Sequence, residues 1–110
     1  MVDEVLEGLI QQRLLSDDRF TEQYLLSRQR RGFGPVRIRV ELRERGVDGG
    51  LIDSHLDDQH ECWQECLQQA HDKKFGRASP ADIKEKARRS RFLEYRGFTG
   101  EQIRHFFRDM

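Results

Sequence analysis

The sequence predicts an all-α fold of tandem three-helix, helix-turn-helix-like units in an elongated, curved array. Three observations predict it. The chain repeats itself: shifted by 51 positions, Leu42, Arg45, Gly46, Val47, Ile52 and Leu56 meet Leu93, Arg96, Gly97, Phe98, Ile103 and Phe107. Shifted by 42, Leu25, Arg31, Phe33 and Gly34 meet Leu67, Lys73, Phe75 and Gly76, and the nine-residue difference is a longer connection, "RASPADIKE", in the second copy. Helix-start chemistry recurs at matching places, with an apolar residue before a cap and an isoleucine four residues after it: Val47, Asp48, Ile52 and Phe98, Thr99, Ile103. Finally, 110 residues at 35% hydrophobic and 36% charged, with seven Phe spread along the chain, suit small cores rather than one large one.

Taken in order, residues 1–15 read as the last helix of a preceding unit, with Asp3 as cap and Leu6, Leu9, Ile10 and Leu14 as its apolar face. Residues 16–58 form the first complete unit. Leu15, Ser16 and Phe20 repeat the staple-and-cap spacing at its first helix, and Asp17 and Asp18 then complement the helix dipole. Pro35, after "GFG", suits a helix start, and Gly46 a left-handed stop. Between them "VRIRVELR" alternates apolar and charged residues, a strand pattern on its face. Its counterpart "EKARRSRFLEYRG" does not alternate, and equivalent elements share a conformation, so both are helices. As a helix, it carries Val36 and Val40 on one ridge with Ile38 and Leu42 nearly opposite, so it is expected between two neighbours.

Residues 59–110 form the second unit. Trp63, Cys66, Leu67 and Ala70 make one apolar stripe, Pro80 suits a helix start, Gly97 a stop, and Thr99 with Gln102 a capping box.

Charge is balanced only on average: twenty Lys and Arg face twenty Asp and Glu. Residues 1–27 carry six acids and two bases, 28–45 two acids and seven bases, 46–72 seven acids and no Lys or Arg, and 73–110 five acids and eleven bases. Sixteen of the bases are Arg, the side chain suited to bidentate contact with phosphate or carboxylate. The positive blocks fall in corresponding places of both units and mark a partner-binding surface: Arg28, Arg30, Arg31, Arg37, Arg39, Arg43 and Arg45, with Lys73, Lys74, Arg77, Arg88, Arg89, Arg91 and Arg96. The plain alternative is a solvated face paired with the chain's own acids, such as Arg45 with Glu41 one turn away.

Other chemistry is weak. Cys62 and Cys66 lie one turn apart near His60 and His71, but a lone C-x3-C motif reads as buried thiols before it reads as a metal site. His55 and His105 sit late in third helices, in capping or packing roles. No nucleophile with a base partner, phosphate-cradling glycine loop or HExxH pattern occurs, so neither an enzyme, a cofactor nor a metal is expected. Two cysteines without a secretion signal point to reduced thiols and a cytoplasmic protein, and no apolar run reaches membrane-spanning length; a monomer is expected.

"LLSDDRFTEQYLLSRQRRGFGPVRIRVELRERGV", followed by "KKFG" and "RFLEYRGFTGEQIRHFF", resembles the RecX family, regulatory proteins of the bacterial recombinase RecA. The resemblance covers nearly the whole chain, and the runs "RRGFGPVRIRVELRERGV" and "RFLEYRGF" are specific. It implies tandem three-helix units and a non-enzymatic modulator, usually an inhibitor, that engages the RecA filament on DNA. Such a modulator lowers ATP hydrolysis and strand exchange and limits filament growth. Family members usually carry a further N-terminal unit, of which this chain is expected to hold only the last helix. The basic residues are assigned from charge placement, not from the resemblance. A stand-alone helical DNA-binding module, holding DNA phosphates directly, is the rival reading.

Overall fold

A computed structural model describes the backbone of residues 2–108 and the side chains of residues 16–108. Among these residues the chain is wholly helical: α1 (Val2–Arg30), α2 (Pro35–Glu44), α3 (Gly49–His55), α4 (Cys62–Phe75), α5 (Ile83–Arg96) and α6 (Gly100–Arg108). α1, α2 and α3 pack on one another, as do α4, α5 and α6, giving two three-helix bundles in a molecule of 69 × 21 × 18 Å.

The repeated residues are the ones that make both bundles. Leu42 and Leu93, Val47 and Phe98, Ile52 and Ile103, and Leu56 and Phe107 are all buried. Gly46 and Gly97 both take positive φ, 83° and 100°, and turn the chain out of the preceding helix. The caps follow: the Asp48 carboxylate accepts from the Gly50 amide at 3.0 Å. Thr99 and Gln102 close their box, each side chain accepting the other's amide at 3.0 and 2.8 Å. Pro35 opens α2. On α4, Trp63 and Leu67 are buried, and Cys66 and Ala70 pack beside them.

Three expectations change. α1 does not begin at Ser16; it runs unbroken from Val2, so Asp17 and Asp18 lie inside a helix rather than at its start. There the Asp17 carbonyl accepts the Thr21 hydroxyl, and Asp18 pairs with His55 of α3 at 2.6 Å. The apolar face assigned to residues 1–15, and the Asp3 cap, concern side chains outside the described residues. α5 begins at Ile83, three residues beyond Pro80, because the Asp82 carboxylate accepts from the Glu85 amide at 2.8 Å and so supplies the cap. Finally, α2 buries only one face: Ile38 and Leu42 are fully buried, while Val36 and Val40 are about half exposed.

The two bundles meet backbone to backbone. The last carbonyls of α5 accept amides at the start of α2: Gly34 N–H donates to Arg96 O at 2.8 Å, and Val36 N–H to Gly97 O at 2.9 Å. The guanidinium of Arg37 adds a bond to Tyr95 O at 3.3 Å. One helix's carbonyl end thereby satisfies another's orphan donors, with the two helix dipoles in favourable sequence. Only glycine fits on either side. A Cβ on Gly34 would stand 2.5 Å from the Gly97 carbonyl carbon, and one on Gly97 2.4 Å from the Arg37 Cβ.

Candidate partner-binding surface

The fourteen bases marked by the sequence divide by their surroundings. Six are engaged inside their own bundle. Glu41 is a hub on α2: its carboxylate accepts the Tyr24 hydroxyl at 2.6 Å and Arg28 at 3.0 Å, with Arg37 at 3.6 Å. Partial burial pushes the Glu41 carboxyl up, but Tyr24, Arg28 and Arg37 outweigh it and hold the group below its ordinary value. The same contact, with burial foremost, raises Tyr24. Arg45 reaches the Glu41 backbone carbonyl rather than its carboxylate, at 3.1 Å, and lies over the Tyr24 ring. Arg39 is held between Asp53 and Asp58; burial opposes its charge, and the two carboxylates more than restore it.

In the second bundle Arg88 and Arg89 share Glu85, at 2.7 and 3.1 Å. Arg88 first and Arg89 second pull the Glu85 carboxyl down to about 2. Arg89 is only 6% exposed and donates to the Ala78 carbonyl at 2.7 Å and towards His71 Nε2 at 3.3 Å. With Nε2 receiving that donor, His71 keeps its proton on Nδ1 and gives it to Asp72 at 3.0 Å. These residues do not present an outward strip: Arg28, Arg37, Arg39, Arg88 and Arg89 are tied to the chain's own carboxylates, and Arg89 is a core residue.

Five bases converge elsewhere. Arg30 and Arg31 at the end of α1, Lys73 and Lys74 at the end of α4, and Arg96 at the end of α5 line a cleft of about 340 Å³ between the bundles. Gln29, Gly32, Cys66, Gln69, Ala70 and Phe92 complete its walls, and no acidic residue is among them. Among the described residues none of the five pairs with a carboxylate. Arg96 donates to the Arg31 carbonyl at 3.3 Å and lies over the rings of Phe33 and Phe92, at 4.8 and 5.2 Å. Lys74 lies over Phe92 at 5.5 Å. Concave walls of low dielectric concentrate such a field. The remaining bases, Arg43, Arg77 and Arg91, are exposed and scattered.

Sequence reasoning named all five cationic members of the cleft but missed its lining. One signal was available: Arg31 and Lys73, equivalent under the 42-residue shift, both line it, one from each bundle. Cys62 and Cys66 are free, half-buried thiols, both pushed up by burial, which disfavours the nucleophilic thiolate. No group of three His, Cys, Asp or Glu among the described residues is placed to hold a metal. None of the described helices is long and apolar enough to cross a membrane.

The fold and the cleft together define a tandem three-helix-repeat protein with a cationic groove between its repeats. Family models for the second and third three-helix domains of RecX match residues 16–56 and 61–107. The chain is 45% identical over 103 residues to the regulatory protein RecX of Halorhodospira halophila, covering 94% of this chain and 64% of that protein. It is 42% identical to that of Pseudomonas savastanoi over 106 residues, 94% of this chain and 66% of the relative. With that of Serratia proteamaculans it is 41% identical over 109 residues, 99% of this chain and 65% of the relative. The chain belongs to the RecX family, and it spans slightly under two thirds of the length of these relatives.

Proposed function

We propose that this chain is a non-enzymatic regulator of RecA, which binds the RecA filament on DNA and inhibits it. In this reading it lowers ATP hydrolysis and strand exchange and limits filament growth in the cytoplasm. Residues 1–15, continuous with the rest of α1, belong in this reading to a preceding unit, 16–58 and 59–110 are the two complete units, and the chain acts as a monomer. Family membership carries the proposal. The unpaired cations of the cleft supply a physical means, because a groove of one sign raises both the rate and the specificity of encounter with an oppositely charged partner. Arg43, Arg77 and Arg91 extend that field along the surface. The internally paired arginines act instead by fixing the helices that carry the cleft.

The test is RecA ATPase activity on single-stranded DNA with increasing amounts of the chain. A dose-dependent fall supports the proposal, and an unchanged rate at saturating chain rejects it. Gel-shift titration on bare duplex and single-stranded DNA separates the rival: tight binding without RecA would make this a DNA-binding module first.

A further inference from the structure

The cleft's shape and lining say more than its charge. We infer that it docks a short acidic peptide segment with an apolar anchor, presented by a protein partner, rather than a nucleic-acid strand. This rests on the reading of the chain as a regulator that binds another protein, and it names the chemistry that the cleft would recognise.

Three observations carry it. The lining is partly apolar, with Cys66, Ala70 and Phe92 among the cationic side chains. A carboxylate-bearing segment with one aliphatic side chain satisfies both parts, whereas a phosphodiester has nothing to place on the apolar part. Next, the aromatic ring in the lining is not free to stack a base: Lys74 and Arg96 lie over Phe92, and Phe75 meets it edge-on at 5.3 Å between centroids. Single-strand binding grooves depend on open aromatic faces. Last, the positive track is short. From Cys66 to Lys74 it follows α4 for about 12 Å, the span of roughly four extended residues. Beyond Cys66 the same helix turns acidic at Glu65, with Glu61 preceding it. Glu65 is close enough to help push the Cys66 thiol up. A continuous polyanion leaving the cleft on that side would meet these carboxylates; a short segment would end before them.

Fluorescence anisotropy with a labelled peptide of alternating glutamate and leucine tests the inference on the full chain. Binding is expected, weakening as salt rises. Reversing both cleft walls with Arg31→Glu and Lys73→Glu should weaken it at least about tenfold, while Arg19→Glu with Lys84→Glu, exposed and outside the cleft, should leave it within about twofold. A peptide with serine in place of leucine should bind more weakly. If charge reversal lowers the melting temperature, Arg31→Gln with Lys73→Gln replaces it. The inference is overturned if the glutamate–leucine peptide does not bind, if the cleft variants bind it as well as the parent chain, or if oligothymidylate displaces it from the cleft. The RecA ATPase assay distinguishes the failures. Inhibition that persists without peptide binding removes the acidic-peptide reading alone, whereas absent inhibition removes the regulatory reading and leaves the peptide measurement to stand by itself.

Discussion

Ile38 of α2 and Arg89 of α5 occupy equivalent places under the 51-residue shift, and both are buried. One is an aliphatic core residue, the other a guanidinium. The frame around them is the same, from Leu42 and Leu93 through the glycine stops to the staples. What differs is the connection before the helix. In the first bundle four residues, 31–34, lead from the end of α1 into α2, and the charged pairs, such as Arg28 with Glu41 and Arg39 with Asp53 and Asp58, lie outside the buried core. In the second, the longer connection brings the Ala78 carbonyl over the core, while Asp82 caps α5 and Glu85 rises from its first turn. Arg89 thus finds Glu85, Ala78 and His71 within reach, and Phe75 lies 5.2 Å from its guanidinium carbon. A buried charge persists only where its donors are met. The extra residues of the second unit are therefore the structural condition for a charged core, and the comparison can be broken at that point.

The largest effect is expected from copying the first unit into the second. Arg89→Ile leaves His71 and the Ala78 carbonyl without their donor and Glu85 with Arg88 alone, and should destabilise the chain by about 3 kcal/mol in urea denaturation. If the variant is as stable as the parent, the connection does not serve Arg89. Next come the matched glycines. Gly97→Ala meets positive φ and the Arg37 backbone together, whereas Gly46→Ala meets positive φ with nothing within 4 Å. Thermal unfolding should show the first costing roughly 2–3 kcal/mol and the second about 1; equal costs would mean that the inter-bundle contact contributes little.

Acid sensitivity sharpens the contrast between the carboxylates. The folded state holds Glu41 below its ordinary 4.5, so its stabilisation is full above that value and is lost as pH falls through the lowered one. Glu41→Gln should cost about 1–2 kcal/mol at neutral pH and flatten this part of the acid limb. Glu85, held near 2, extends its contribution further into acid, and Glu85→Gln should lower the stability plateau and flatten the loss that urea denaturation finds between pH 4.5 and about 2. The smallest change is Thr99→Ala, which opens the α6 capping box for about 1 kcal/mol by thermal unfolding.

Much of the fold was legible because its signals are local. Asp48, Thr99 with Gln102, Pro35 and the two glycine stops each act within a turn, and the repeat resolved "VRIRVELR", which periodicity alone left as a strand. Where the reading failed, a distant residue or a competing local one decided. Ser16 offers a cap, but its gain of about 1 kcal/mol does not interrupt a helix whose ladder can continue through it. Pro80 offers a start, yet Asp82 caps the first turn that forms. The candidate site was legible in membership and not in direction. Charge counts found Arg30, Arg31, Lys73, Lys74 and Arg96, but they equally found Arg28, Arg39 and Arg89. Only the placement of Glu41, Asp53, Asp58 and Ala78, 11 to 19 residues away along the chain, separates the engaged from the free.

The junction at Gly34 and Gly97 has a mechanical consequence. Main chain meets main chain there, with no room for a Cβ on either side, and the contact defines one separation and pitch between the bundles, as between the jaws of a calliper. Any surface that meets both at once must offer footholds at that interval, and one whose footholds drift apart will hold the molecule by a single jaw.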